Sequence, residues 1–131
     1  MKIQRDNSKE MKLRIEGNSI RLRLRKSEVS KLASTGRVAG ETRIPGGNFH
    51  YALELHPDIS DLTAKRTAGG ITLLLPETQG KSWAENQQVG FEAAMALEDN
   101  ESLHLLVEKD FVCLDRDPAL QEDQYPNPKS L

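Results

Sequence analysis

Residues 18–29 read NSIRLRLRKSEV. Ile20, Leu22 and Leu24 alternate with Arg21, Arg23 and Arg25, the period of a strand with one face buried. The period then changes. Ser27 suits a helix N-cap, Glu28 the first turn, Val29, Leu32 and Ala33 one helical face, and Gly36 a stop. One short stretch therefore contains a strand, a switch into a helix, and three guanidinium groups on a single face.

Working outward, Met11, Leu13 and Ile15 alternate in the same way before Gly17 and Asn18. A second strand is expected there, joined to the first by a two-residue turn with glycine leading, as a type II′ hairpin requires. After the helix, RVAGETRI and FHYALEL flank PGGN. They read as a second hairpin with Phe49, Tyr51, Leu53 and Leu55 on one face.

The order recurs 51 residues later, where Met11 falls on Leu62, Ile20 on Ile71, Ser27 on Thr78, Leu32 on Trp83, Val38 on Val89 and Glu41 on Glu92. Two β-β-α-β-β units result. One alone has too little apolar surface to stand, so two are expected to pack about a pseudo-twofold axis. The fold class expected is β-rich α+β, a duplicated and closed or nearly closed small barrel of about eight strands with two short helices, which removes exposed sheet edges.

A chain of 131 residues can bury a core without staples. The expected organisation is an extension over residues 1–9, a single domain over 10–114 made of repeats 10–57 and 61–114, and a flexible acidic tail over 115–131, since both ends lack apolar anchors. One cysteine, Cys113, allows no disulfide framework. No apolar run reads as a signal peptide or membrane span, so the cytoplasm is the expected location.

The net charge of −2 conceals a division: residues 1–45 carry 12 Lys or Arg against 5 Asp or Glu, and the remainder 6 against 15. Such asymmetry suits a basic surface for an anionic partner, or two parts of one fold that neutralise each other. The turn at Gly17 and Asn18 sets Arg14 opposite Arg21 and Lys12 opposite Arg23, and like charges opposed on a sheet repel. Water and salt, the acidic half of the chain, or an external anion must compensate them. Lys12, Arg14, Arg21, Arg23 and Arg25 are therefore the candidate binding residues, for an anionic macromolecule or protein partner. A second copy of the chain is a further class of partner.

Other constellations are weaker. His50, His56, His104 and Cys113 form no paired ligand motif, and no metal site or cofactor is assigned. His50 and His104 lie on polar phases of corresponding strands, where a pseudo-twofold axis would bring them together. Asp110 and Asp115 flank FVCL, and Glu54, Glu92 and Glu108 fall on outer phases where carboxylates are ordinarily solvated. No catalytic residue is assigned. Phe49, Tyr51, Trp83 and Phe91 all fall on core phases, so no aromatic platform for single-stranded nucleic acid is expected.

GNSIRLRLRKSEV with ETR after it, VGFE in the second half, and LLVEKDFVCLDR before YPNP resemble a family of small bacterial proteins known only as a domain of unknown function. The resemblance runs from Met11 onward and implies no activity. The β-β-α-β-β order also resembles the swapped-hairpin units of AbrB-class regulators and antitoxins, which pair into DNA-binding barrels. That likeness bears on architecture more than activity; the cationic face, with no catalytic residue assigned, points to a non-enzymatic binding or regulatory module, and a small enzyme or ligand binder with its pocket at a barrel mouth is the alternative.

Overall fold

The computed structural model describes residues 11–112 and 121–127. In chain order the elements are β1 (Lys12–Glu16), β2 (Ser19–Leu24), α1 (Lys26–Thr35), β3 (Arg37–Ile44), β4 (Gly47–His56), β5 (Thr63–Thr67), β6 (Gly70–Pro76), α2 (Glu77–Ser82) with a 3-10 turn at Trp83–Glu85, β7 (Gly90–Ala96) and β8 (Ser102–Lys109). The β-rich α+β class and the two short helices are as the periodicity indicates.

Gly17 takes a φ of 54° in the first turn, so the β1–β2 ladder pairs Glu16 with Ser19, Arg14 with Arg21 and Lys12 with Arg23. Alternation then sends Leu13, Ile20, Leu22 and Leu24 inward. Their counterparts on β8 and β7 are Leu105, Val107, Phe91 and Ala93, and across the core lie Val38, Tyr51, Leu53, Leu73 and Leu75. Leu32 and Trp83, one from each helical region, are both completely buried.

The strands do not close into the expected barrel. They form two four-stranded sheets, β1-β2-β8-β7 and β3-β4-β6-β5, each with a parallel central pair between antiparallel outer pairs. The first sheet thus joins the first and last hairpins of the chain, and the second the two hairpins between them. Side chains rather than a ladder span the seam beside β1, where the Tyr51 hydroxyl donates to the Met11 carbonyl at 2.9 Å. The edge strands β1 and β5 have only five residues each, which limits what a closing ladder would gain.

The 51-residue offset holds at the helix starts, Lys26 and Glu77, and fails at β7. Val38 is buried and pairs with Leu53, but Val89, its expected counterpart, is half exposed and precedes β7. Phe91 takes the buried place opposite Val107. The second helix is the cause: α2 has six residues where α1 has ten, and the chain from Asn86 to Val89 runs on without helix or strand.

The helix caps also differ from expectation. Arg25, not Ser27, holds the N-cap position of α1, and Pro76, not Thr78, that of α2. The carboxylate that satisfies the first turn of α1 comes from far away: Ser27 donates through both its backbone N–H and its hydroxyl to Asp123, and Lys26 donates its N–H to the Asp123 carbonyl. Glu28 completes the start by accepting the Arg25 N–H at 2.9 Å.

Asp123 lies in Gln121–Asn127, a segment that composition assigns to a loose tail. Here it is seated. Val112 donates to the Tyr125 carbonyl at 2.6 Å and Tyr125 to the Asp110 carbonyl at 2.9 Å, while Gln121 and Gln124 are buried. Three backbone links and a capping carboxylate hold it, beside the Tyr125 ring, which packs against the core. Among the described residues no helix is long and apolar enough to cross a membrane.

Candidate functional site

The outer face of the first sheet brings four of the five candidate cations together. Lys12 and Arg14 on β1 lie beside Arg23 and Arg21 on β2, in the opposed pairs that the turn dictates. The fifth is elsewhere: β2 ends at Leu24, and Arg25 turns into the start of α1, where it is 8% exposed and its Nε has no hydrogen-bond partner among the described residues.

Compensation comes chiefly from the next strand. The parallel β2–β8 register sets Arg23 beside Glu108, and Oε1 of that carboxylate accepts from Arg23 Nε at 2.8 Å and lies 3.4 Å from Arg21 Nε. Lys12 Nζ is 3.0 Å from Asp110 Oδ2, and Arg14 reaches Glu16 at 3.3 Å. Lys12, Arg14, Arg21 and Arg23 therefore face Glu16, Glu108 and Asp110, with one carboxylate shared by two guanidiniums. The Arg14 end is the open one, its side chain 61% exposed. Arg14, Arg21, Ser19 and His104 border a cleft there of about 90 Å³.

Since Glu108 is shared and mostly covered, Glu108→Gln should expose the repulsion between Arg21 and Arg23. A loss of about 1 kcal/mol is expected at low salt, shrinking as salt rises, because partly exposed charges are screened. Urea titrations at two ionic strengths measure it. An unchanged midpoint at both would show that water alone compensates these cations.

The histidines do not meet. His50 Nδ1 is 3.4 Å from Glu41 in the second sheet, and His104 Nε2 is 3.2 Å from Glu92 in the first. A closed barrel would place corresponding strands about one axis, but here each imidazole sits by a glutamate of its neighbouring strand. His56 accepts the Asp58 N–H. Cys113 and Asp115 lie outside the described residues. Among those described, no three His, Cys, Asp or Glu side chains gather as a metal site. Glu54 pairs with Arg37 at 2.9 Å. Near the β5–β6 turn, Gly69 and Gly70 line an open hollow with Phe49 and Arg66.

A second cluster escaped the sequence reading. Lys109 occupies an inward phase of β8 after Leu103, Leu105 and Val107, and only 4% of it is exposed. Its amine donates to the Asn86 carbonyl at 2.7 Å and lies 4.8 Å from the Tyr125 ring centroid and 5.9 Å from that of Trp83. Burial lowers the Lys109 pKa from its ordinary value. Burial likewise raises that of Glu28, against the opposing pull of the Arg25 N–H, and raises that of Tyr125, with the Asp123 charge adding to the effect. The one available signal was a lysine on an apolar phase; the rings around it come from distant segments.

Residues 11–129 match the model of a family of unknown function. No curated protein matches the chain, and no solved structure does, so the AbrB-class resemblance has no structure behind it.

Proposed function

The chain belongs to this family, DUF7009, which brings no activity with it, and from the geometry we propose a cytoplasmic binding or regulatory module, not an enzyme, whose interaction surface is the cationic face of β1 and β2. One observation carries the reading: Arg14 and Arg21 are held directly opposite each other beside an open cleft, and Arg21 and Arg23 share the single carboxylate of Glu108. A further anionic group would relieve that opposition. Glu16, Glu92 and Glu108 interrupt the face, and no aromatic side chain stands on it. An acidic protein segment, whose carboxylates can be placed one by one, suits it better than a continuous phosphate backbone. The same reading takes residues 10–57 and 61–114 as duplicated units of one domain, supported by the repeated pairing pattern of the two sheets.

Fluorescence anisotropy tests the surface with two labelled probes of equal charge, an oligoglutamate peptide and a single-stranded oligonucleotide. The peptide should bind, weaken steeply with salt, and weaken about tenfold when Arg14 and Arg21 are both changed to Thr. Preference for the oligonucleotide would move the surface to nucleic acid. Failure of both probes would make the cations a device of folding alone.

The alternative, a ligand binder with its pocket at one end of the fold, has a different observation behind it: a cleft of about 340 Å³ beside Lys109.

A further inference from the structure

A lysine at the fourth inward position of β8 is out of pattern. Leucine or valine there would extend the core; lysine instead brings an ammonium under Trp83 and Tyr125. A buried ammonium is costly without a counter-charge, and ring faces and one carbonyl compensate it only in part. Among the described residues no carboxylate lies within ion-pair distance of it. Its sequence neighbour Asp110 is engaged with Lys12 on the other side of the strand.

The cleft against this amine has a distinct chemistry. Its apolar walls are Val89, Phe111, Tyr125 and Pro126, and its polar end is Lys109 with Asn86. Val89 is half exposed although it is large and apolar. Phe111 and Tyr125 have their ring centroids 6.0 Å apart at 55°, so both edges and faces are presented. A volume of about 340 Å³ is at the lower end of small-molecule pockets, too small for a dinucleotide and sufficient for one ring with a short side chain.

We propose that this cleft binds a small aromatic monocarboxylate, with the carboxylate paired to Lys109 and the ring lying among Val89, Phe111 and Tyr125. The inference rests on the ligand-binder reading and is independent of the cationic face, which lies on the opposite surface of the first sheet. The carboxylate supplies a counter-charge that no described residue offers the amine, and a charge-assisted hydrogen bond shielded from water is among the stronger ones available. The ring gains contacts where the structure leaves apolar area open. The ligand would also hold Tyr125, and with it the segment that carries Asp123 to α1.

The test is a two-dimensional NMR titration of the full chain with phenylacetate and with phenylacetamide, which match in shape and differ in charge. Amide signals of Gln87, Val89 and Phe111 report on the cleft, and those of Arg14 and Arg21 on the cationic face. Phenylacetate should shift the cleft signals and bind about tenfold to a hundredfold more tightly than the amide. In Lys109→Met, which keeps length and apolar stem, that preference should vanish while the amide binds as before. Equal binding of acid and amide at the cleft would overturn the carboxylate assignment and leave a ligand pocket. Binding of neither at millimolar concentration would remove the pocket reading as well, and shifts confined to Arg14 and Arg21 would do the same. Should the methionine variant fail to fold, the acid-to-amide ratio in the unaltered protein decides the matter.

Discussion

Trp83→Ala is expected to remove about 3–5 kcal/mol of stability, the cost of truncating a fully buried aromatic ring. The indole is 0% exposed, packs edge-on against Phe91 at a centroid distance of 5.0 Å, and donates its N–H to the Gln88 carbonyl at 2.8 Å. α2 has six residues and neither a side-chain cap nor a left-handed glycine at its end. So short a helix has almost no stability of its own, and Trp83 at its end anchors it to the core together with Gly80, which packs against Leu55. The loss is a large fraction of the roughly 5–15 kcal/mol that holds an ordinary domain together. Trp83→Phe keeps most of the ring contact and forfeits the hydrogen bond, so about 1–2 kcal/mol is expected. Urea unfolding followed by far-ultraviolet circular dichroism compares the two without relying on indole emission. A deficit below about 1 kcal/mol for the alanine variant would mean that the helix is held by other contacts.

Gly70→Ala should be nearly as damaging, by about 3 kcal/mol or more, though it adds a single methyl group. Gly70 opens β6 opposite His50 on β4, in the central parallel pair of the second sheet. A β-carbon there would stand 1.7 Å from the His50 carbonyl oxygen and 2.6 Å from its carbon. Both are backbone atoms, so no rotamer change relieves the clash and the ladder itself must open. Gly17→Ala is the useful contrast. It meets nothing within 4 Å and bears only the cost of its φ of 54°, about 1–2 kcal/mol. Equal losses for the two variants would show that β4 and β6 separate easily at that end.

What was legible in the sequence follows from the range over which each determinant acts. Period and turn chemistry are local, and they gave the β1–β2 register residue by residue, down to Arg14 against Arg21. The inward phases of β4 and β6 and the burial of Leu32 and Trp83 came from the same source. Barrel closure was not local: whether edge strands pair depends on their length and on the geometry between sheets. Capping was misread because Ser27 has the right chemistry but lies inside the helix, where it donates to Asp123, almost a hundred residues away. Composition suggested a loose tail since Gln121, Asp123 and Gln124 are polar, but polar residues can be anchored by hydrogen bonds as well as by burial. The arginine face was legible as a face, and its principal counter-charge was named only as the acidic half of the chain. The parallel β2–β8 pairing is what selects Glu108.

The way the two sheets divide the chain sets the order in which a growing polypeptide can complete them. The second sheet lies wholly between Arg37 and Pro76, whereas the first unites Lys12–Leu24 with Gly90–Lys109. A chain released from its N-terminus onward can close the Arg37–Pro76 sheet while β8 is still unmade. Until then β2 has an empty lateral edge, the kind that recruits strands from other molecules. Its alternating Arg21 and Arg23 put uncompensated charge beside that edge for as long as Glu108 is missing, which disfavours lateral capture by a second copy of the same hairpin. The arginines that share one carboxylate in the finished protein are, during synthesis, a guard on the one strand that has to wait for its neighbour.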